Sequence, residues 1–206
     1  THFKYQEAKD KKRYGCIDQN GNLQGYLFFK LKDGKIKIDE LCYSSIKYKK
    51  EIFRFIYSHR AQIDEVSWRP AGDDNTILML SDPEREHELS LGMMWRIIDV
   101  KKVLESFILD NNFNESFTLK VEDPYAEWND GVFKVDINEG KVKVVSETEQ
   151  TDGDISCTIQ ALSQLVSGYI SLEKRKVLGG IEGKEEVFDI FDRFIPDRNT
   201  YLNDYF

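Results

Sequence analysis

The residues best suited to nucleophilic or metal chemistry are His2, His59 and His87 together with Cys16, Cys42 and Cys157, and none has the spacing that such chemistry needs. No Cys–His cluster resembles a zinc ligand set. No G-x-S-x-G, G-x-x-x-x-G-K-[ST] or G-x-G-x-x-G occurs, so a serine nucleophile elbow, a P-loop and a dinucleotide fingerprint are absent. Gly179-Gly180-Ile181-Glu182-Gly183 is glycine-rich, but it follows a helix pattern and reads as a helix stop and turn. The acidic groups Asp73-Asp74, Glu84/Glu86/Glu88 and Glu185-Glu186 read as solvated loops or helix-start charges, which the helix dipole favours. Trp68, Trp95 and Trp128 could wall a pocket, but tryptophans more often pack a core.

Composition limits the classes further. The 206 residues are 40% apolar and 32% charged, an ordinary globular balance, and no apolar run approaches the ~20 residues that cross a bilayer. Twenty-nine basic against 37 acidic residues leave a net charge of −8, which disfavours nucleic acid and a membrane surface as partners. The three unpaired-looking cysteines point to a reducing, cytoplasmic compartment. The chain begins at Thr1 rather than Met, and reads as a piece of a longer protein.

The elements that must position these residues follow from periodicity. Residues 1–13 read as a loop. Leu27, Phe29 and Leu31 alternate, Asp33-Gly34 supplies a two-residue turn, and Ile36 and Ile38 resume, a hairpin that sets Leu31 opposite Ile36 and Phe29 opposite Ile38. Ser44 or Ser45 is placed to cap a helix carrying Tyr48, Ile52, Phe55 and Ile56. Short strands are expected over 63–69, 77–80 and 91–98. Asp99 is placed to cap a helix with a stripe from Val100 to Ile108. Strands at Phe117–Val121 and from Ile155, a hairpin turning at Glu139-Gly140, and helices over Leu162–Tyr169, Ser171–Val177 and Val187–Ile195 complete the second half. Gly168 is expected in the left-handed conformation at a helix end. The fold class is α+β, two units of mostly antiparallel sheet covered by helices, with domains at 1–98 and 99–206.

The run Gly92-Met93-Met94-Trp95-Arg96-Ile97-Ile98-Asp99-Val100 before an amphipathic helix resembles the domain junction of the Eis-type (enhanced intracellular survival) acetyltransferases. Gly25-Tyr26-Leu27, Glu40-Leu41, the helix ending at Ser58-His59 and Gln62-Ile63-Asp64 resemble the central GNAT-like region of that family. Asn129-Asp130-Gly131-Val132-Phe133, Leu162-Ser163-Gln164-Leu165 with Gly168-Tyr169, and the terminal Phe206 resemble its sterol-carrier-like domain.

The resemblance covers nearly the whole chain but only the C-terminal half of the family architecture. It implies an acetyl-CoA-dependent N-acetyltransferase in which residues 1–98 are the later part of a GNAT-like domain. A GNAT holds the cofactor pyrophosphate on a glycine-bearing loop at a helix start, whereas Tyr43-Ser44-Ser45-Ile46-Lys47 has no glycine. The cofactor is therefore expected on an N-terminal GNAT domain of the same protein and not on this chain. The carboxylate of Phe206 would be the general base, with Trp95 and Asp99 binding a cationic amine acceptor. Some members carry an acid just before the terminal Phe, where this chain has Tyr205. A homo-oligomer is implied as well. The alternatives are a lipid- or acyl-binding module of sterol-carrier type, with the Val100–Ile108 and Val187–Ile195 stripes as its lining, or an oligomerisation module.

Overall fold

A computed structural model describes residues 2–8, 11–80, 86, 88, 94–147, 152–196 and 198–202, and for 2–8 the backbone alone. They form two compact units, the first within residues 1–74 and the second within 75–202. Each is a five-stranded, mostly antiparallel sheet with helices, as the α+β expectation required. No helix among the described residues is long and apolar enough to cross a membrane.

The first sheet runs in chain order: β1 (His2–Ala8), β2 (Lys11–Ile17), β3 (Leu23–Lys32), β4 (Lys35–Tyr43) and β5 (Glu65–Trp68). Residues 2–8 and 11–13, expected as loop, are thus strand, and the rest of 1–13 lies outside the described residues. β1 and β2 pair antiparallel, and the charges of β2 masked its inward Tyr14 and Cys16. The β3–β4 hairpin has the expected register, Leu31 opposite Ile36 and Phe29 opposite Ile38. Asp33 and Gly34 turn it at φ 50° and 73°, the left-handed pair a type I′ turn requires. Helix α1 (Ile46–Ser58) crosses over to β5, which lies parallel to β4. It buries Ile52 and Ile56 against Leu27, Phe29, Ile36 and Ile38. Neither Ser44 nor Ser45 caps it. The Ser44 hydroxyl donates to Gln24 Oε1 at 2.7 Å, and Ser45 makes no side-chain capping bond.

The second sheet has the order β10-β9-β6-β7-β8: β6 (Glu115–Glu122), β7 (Gly131–Asn138), β8 (Lys141–Glu147), β9 (Ile155–Thr158) and β10 (Ile181–Gly183). β9 is parallel to β6, and the other pairs are antiparallel. Its helices are α2 (Val100–Glu105), α3 (Ile159–Val166), α4 (Leu172–Leu178) and α5 (Glu185–Phe194). Thr158 and Ser171 cap α3 and α4 through their hydroxyls. The stripe of α5 drives Phe191 and Phe194 against Phe117 and Phe107, with ring centroids 5.1–5.8 Å apart. Each such ring contributes about 1.5–3 kcal/mol by leaving water.

Four expectations in this unit need correction. Ile77–Leu80 is not a strand, because Thr76–Met79 makes a single 3-10 turn; so short an apolar run carries no period to tell the two apart. Residues 94–98 form no strand and are not buried as a run, since Met94 and Ile98 are exposed and only Ile97 is inside. The helix after Asp99 stops at Glu105, leaving Phe107 buried and Ile108 exposed. The Gly179–Gly183 segment supplies a short strand, β10, beyond its turn. Gly168 takes φ 76°, as expected.

The β7–β8 hairpin turns at Glu139 and Gly140, φ 49° and 73°. A Cβ on Gly140 would stand 2.5 Å from the Leu109 carbonyl oxygen and 2.8 Å from that of Asp110. At the free side of β8, the Val144 N–H donates to the Glu105 carboxylate of α2 at 3.0 Å. Gly140→Ala should therefore cost about 1–3 kcal/mol, by left-handed strain and by backbone clash together. Urea denaturation of the wild type and the variant checks this.

Candidate functional site

The segment Arg96–Val100 is held by side chains rather than by a strand ladder. The Ile97 N–H donates to Ser163 Oγ at 3.1 Å. Ile98 offers its carbonyl to two donors, Trp128 Nε1 at 2.7 Å and Asn129 Nδ2 at 3.3 Å. The Val100 N–H donates to Asn129 Oδ1 at 2.9 Å, so one side-chain amide grips the backbone on both sides of Asp99. Asn129 is itself oriented by Asp123, whose Oδ2 accepts from Asn129 Nδ2 at 3.1 Å.

Asp123 sits at the start of the β6–β7 loop with its side chain fully buried. Arg96 Nη2 donates to both of its oxygens, at 2.6 and 2.7 Å, and the Tyr125 N–H to Oδ1 at 3.1 Å. Burial pushes the Asp123 carboxyl upward, but the bonds from Asn129, Tyr125 and Arg96 outweigh it and hold the group below the ordinary carboxylate range. Arg96 also lies over the Tyr125 ring, 5.7 Å from its centroid.

Asp99 caps α2 by accepting from the Lys102 N–H at 3.0 Å. That bond, with the Lys102 ammonium 3.0 Å from Oδ2, lowers its pKa, so an ionised carboxylate stands at the surface. Lys102 is 83% exposed and free to leave. Trp95 is half exposed, three residues before the Ile98 carbonyl that anchors Trp128. The structure thus puts Trp95 and Asp99 on one tethered segment. Phe206 lies outside the described residues.

Sequence reasoning did not single out Asp123, Asn129, Ser163 or Arg96 as a network. Their ties to the Arg96–Val100 segment span 27 to 66 residues, which local patterning does not reveal. The available signal was that Arg96, Ser163 and Asn129 all stand inside runs that carried the family resemblance. The Val100–Ile108 and Val187–Ile195 stripes, which could line an acyl site but read better as core, pack into the core through Val100, Leu104, Phe107, Val187, Phe188, Phe191 and Phe194.

In the first unit, the pairing of β3 with β4 slips at Phe28/Phe29, leaving Asp39 as the extra residue of a bulge. β5 pairs only with Lys35–Ile38, and β4 continues past its end. Lys11, Lys37, Asp39, Trp68 and Arg69 line an open groove there. The Lys49 ammonium of α1 is buried, 3.0 Å from Asp74 and 4.9 Å from the Tyr43 ring centroid. Burial works against that charge, but Tyr43 and Asp74 more than restore it, and its pKa is raised.

Comparison with known proteins agrees with this division of labour. Residues 1–97 match the acetyltransferase (GNAT) domain, and residues 100–203 match the sterol carrier protein domain. A probable N-acyltransferase from Enterococcus faecalis V583 superposes with a TM-score of 0.82 at 25% identity, over 96% of this chain and 50% of its own. A GCN5-related N-acetyltransferase from Anabaena variabilis gives 0.74 at 22% identity, over 98% and 52%. Eis1 from Mycobacterium abscessus gives 0.68 at 17% identity, over 96% and 51%. The chain thus spans about half the length of each of these solved structures. No curated protein matches it. By these matches the chain belongs to the sterol carrier protein domain family, carrying that domain behind an acetyltransferase (GNAT) domain in one polypeptide.

Proposed function

We propose that this chain is the C-terminal part of an Eis-like N-acetyltransferase, with residues 1–98 as a GNAT-like region lacking a cofactor site and 99–206 as the sterol-carrier-like domain. The observation that carries this reading is the likeness to the Enterococcus faecalis N-acyltransferase, which takes in 96% of this chain but only half of that protein. Acetyl-CoA binds an N-terminal GNAT domain of the same protein. This chain supplies the acceptor face, Trp95 and Asp99, and the Phe206 carboxylate as base. The working protein is a cytoplasmic homo-oligomer.

A protonated acceptor first gives one proton to a carboxylate within reach; the neutral nitrogen then joins the acetyl carbon as the thioester bond to sulfur breaks, and its second proton passes to the leaving thiolate. The ionised Asp99 favours an acceptor that arrives protonated, and the half-exposed Trp95 ring receives the same charge through its face.

A second reading places acetyl-CoA on the first unit. The part of β4 beyond β5 offers backbone groups to the amides of a pantetheine arm, and Lys11, Lys37 and Arg69 are cations for its phosphates. The glycine-free β4–α1 junction, Tyr43 to Lys47, weighs against it.

Calorimetry with acetyl-CoA and a thiol-release assay with polyamines separate the two, on this chain and on one extended upstream. The expected result is silence from this chain and turnover by the longer one. Removing Phe206 from the longer chain should abolish turnover and leave its melting curve unchanged. Tight acetyl-CoA binding by this chain would favour the second reading.

The pH dependence of acceptor binding follows from the sign of the Asp99 shift. A free aspartate titrates near pH ~3.9 and an alkyl ammonium near ~10.4. Asp99 is shifted downward, so its carboxylate stays ionised to below the first of those values. Spermine affinity for this chain should be flat from about pH 5 to 7, weaken above that as the like charges of neighbouring ammonium groups make the polyamine lose protons below ~10.4, and fall only below the ordinary aspartate value of ~3.9. Asp99→Asn should lower the affinity across the plateau, as titration calorimetry at several pH values would measure.

A further inference from the structure

Trp128 is 68% exposed and Tyr125 78%, on a loop that is anchored by its buried members Asp123, Ala126 and Asn129. Large aromatic side chains left open on a well-anchored loop are candidates for ligand contact rather than for packing. The indole N–H of Trp128 is spent on the Ile98 carbonyl at 2.7 Å, which fixes the ring beside the segment that carries Trp95 and Asp99 while its face stays free. Arg96, bound to Asp123, lies over the Tyr125 ring and ties it to the same segment.

The charges that the loop itself carries are of one sign, and the cation beside its rings is Arg96, paired with Asp123. Glu122, Glu127 and Asp130 flank the rings, all exposed, and the loop from 122 to 130 contains no basic residue. Asp99 already holds an ammonium, that of Lys102, on a side chain that solvent can take back.

We propose that Trp128, with Tyr125, forms the second aromatic wall of the acceptor face, and that Asp123 and Asn129 position it against Trp95 and Asp99. The occupant is a linear polyamine, whose spaced ammonium groups meet two aromatic faces and the acids between them. This rests on the reading of Trp95 and Asp99 given above. Trp128 is a binding residue; Asp123 and Asn129 act through the backbone they hold.

Titration calorimetry of the whole chain with spermine tests this, with circular dichroism melts as the control for folding. Trp128→Ala should weaken binding about tenfold, within the range of a cation–π contact, and Trp128→Phe, which keeps a ring, by less than about threefold. Asn129→Asp adds a negative charge, yet it should weaken binding, because a carboxylate oxygen then faces the Ile98 carbonyl. If that variant does not fold, Arg96→Lys, at a side chain 36% exposed, reads the same network from its solvent side and should also weaken binding. Wild-type affinity in Trp128→Ala, together with loss in Trp95→Ala, overturns the second wall. Equal or tighter binding in a folded Asn129→Asp, or wild-type affinity in Arg96→Lys where Asn129→Asp does not fold, overturns the positioning role. Wild-type affinity in Trp95→Ala, or no heat from the wild type, overturns instead the acceptor face on which the proposal rests.

Discussion

The Asp123 carboxylate is the constraint on which the Arg96–Val100 segment of the second unit depends. A buried ion is tolerated only where partners replace its lost water. Arg96, Asn129 and the Tyr125 N–H do so here. Two of these partners also hold other groups in place. Arg96 stacks on Tyr125, and Asn129 brackets Asp99 by binding Ile98 and Val100. Removing the charge would loosen all of these contacts together. An irregular segment is therefore tethered through its backbone, with Ile97 inside and Trp95 and Ile98 left exposed.

The first unit solves a different problem. Its parallel β4–α1–β5 crossover joins strands that agree in register over only four residues. The core beneath needs no more, because Ile36 and Ile38 of β4 already face Ile52 and Ile56 of α1. The bulge at Asp39 lies just where β4 outruns β5. Such an extra residue re-aims a strand and interrupts its pairing. The end of the β4–β5 pairing, the bulge and the charged groove thus meet at one place on β4.

The hairpins could be read from sequence because their turns are chemically explicit. Asp33-Gly34 and Glu139-Gly140 stand between alternating apolar residues, and the observed pairing of Phe29 with Ile38 follows from that spacing alone. The Asp99 cap was legible for the same reason, as a local side-chain-to-backbone bond. Residues 94–98 misled, because an apolar run predicts burial while its backbone bonds go to Ser163, Trp128 and Asn129. β2 was hidden by lysines and an arginine whose neighbours Tyr14 and Cys16 turn inward. For the candidate site, the family resemblance pointed to Trp95 and Asp99, whereas the buried polar residues that tether their segment left no local pattern to read.

The bond from Val144 to Glu105 bears on how the chain behaves in a crowded solution. β8 is the last strand of its sheet, and an edge strand with open amides is a template for strand addition by another molecule. A carboxylate from α2 occupies one of those amides, and Lys141 and Lys143 add charge along the same strand. A foreign strand would have to displace an ionised acceptor and accept two ammonium groups before forming its first ladder bonds. α2 therefore serves as a stopper against fibril growth as well as a cover for the core.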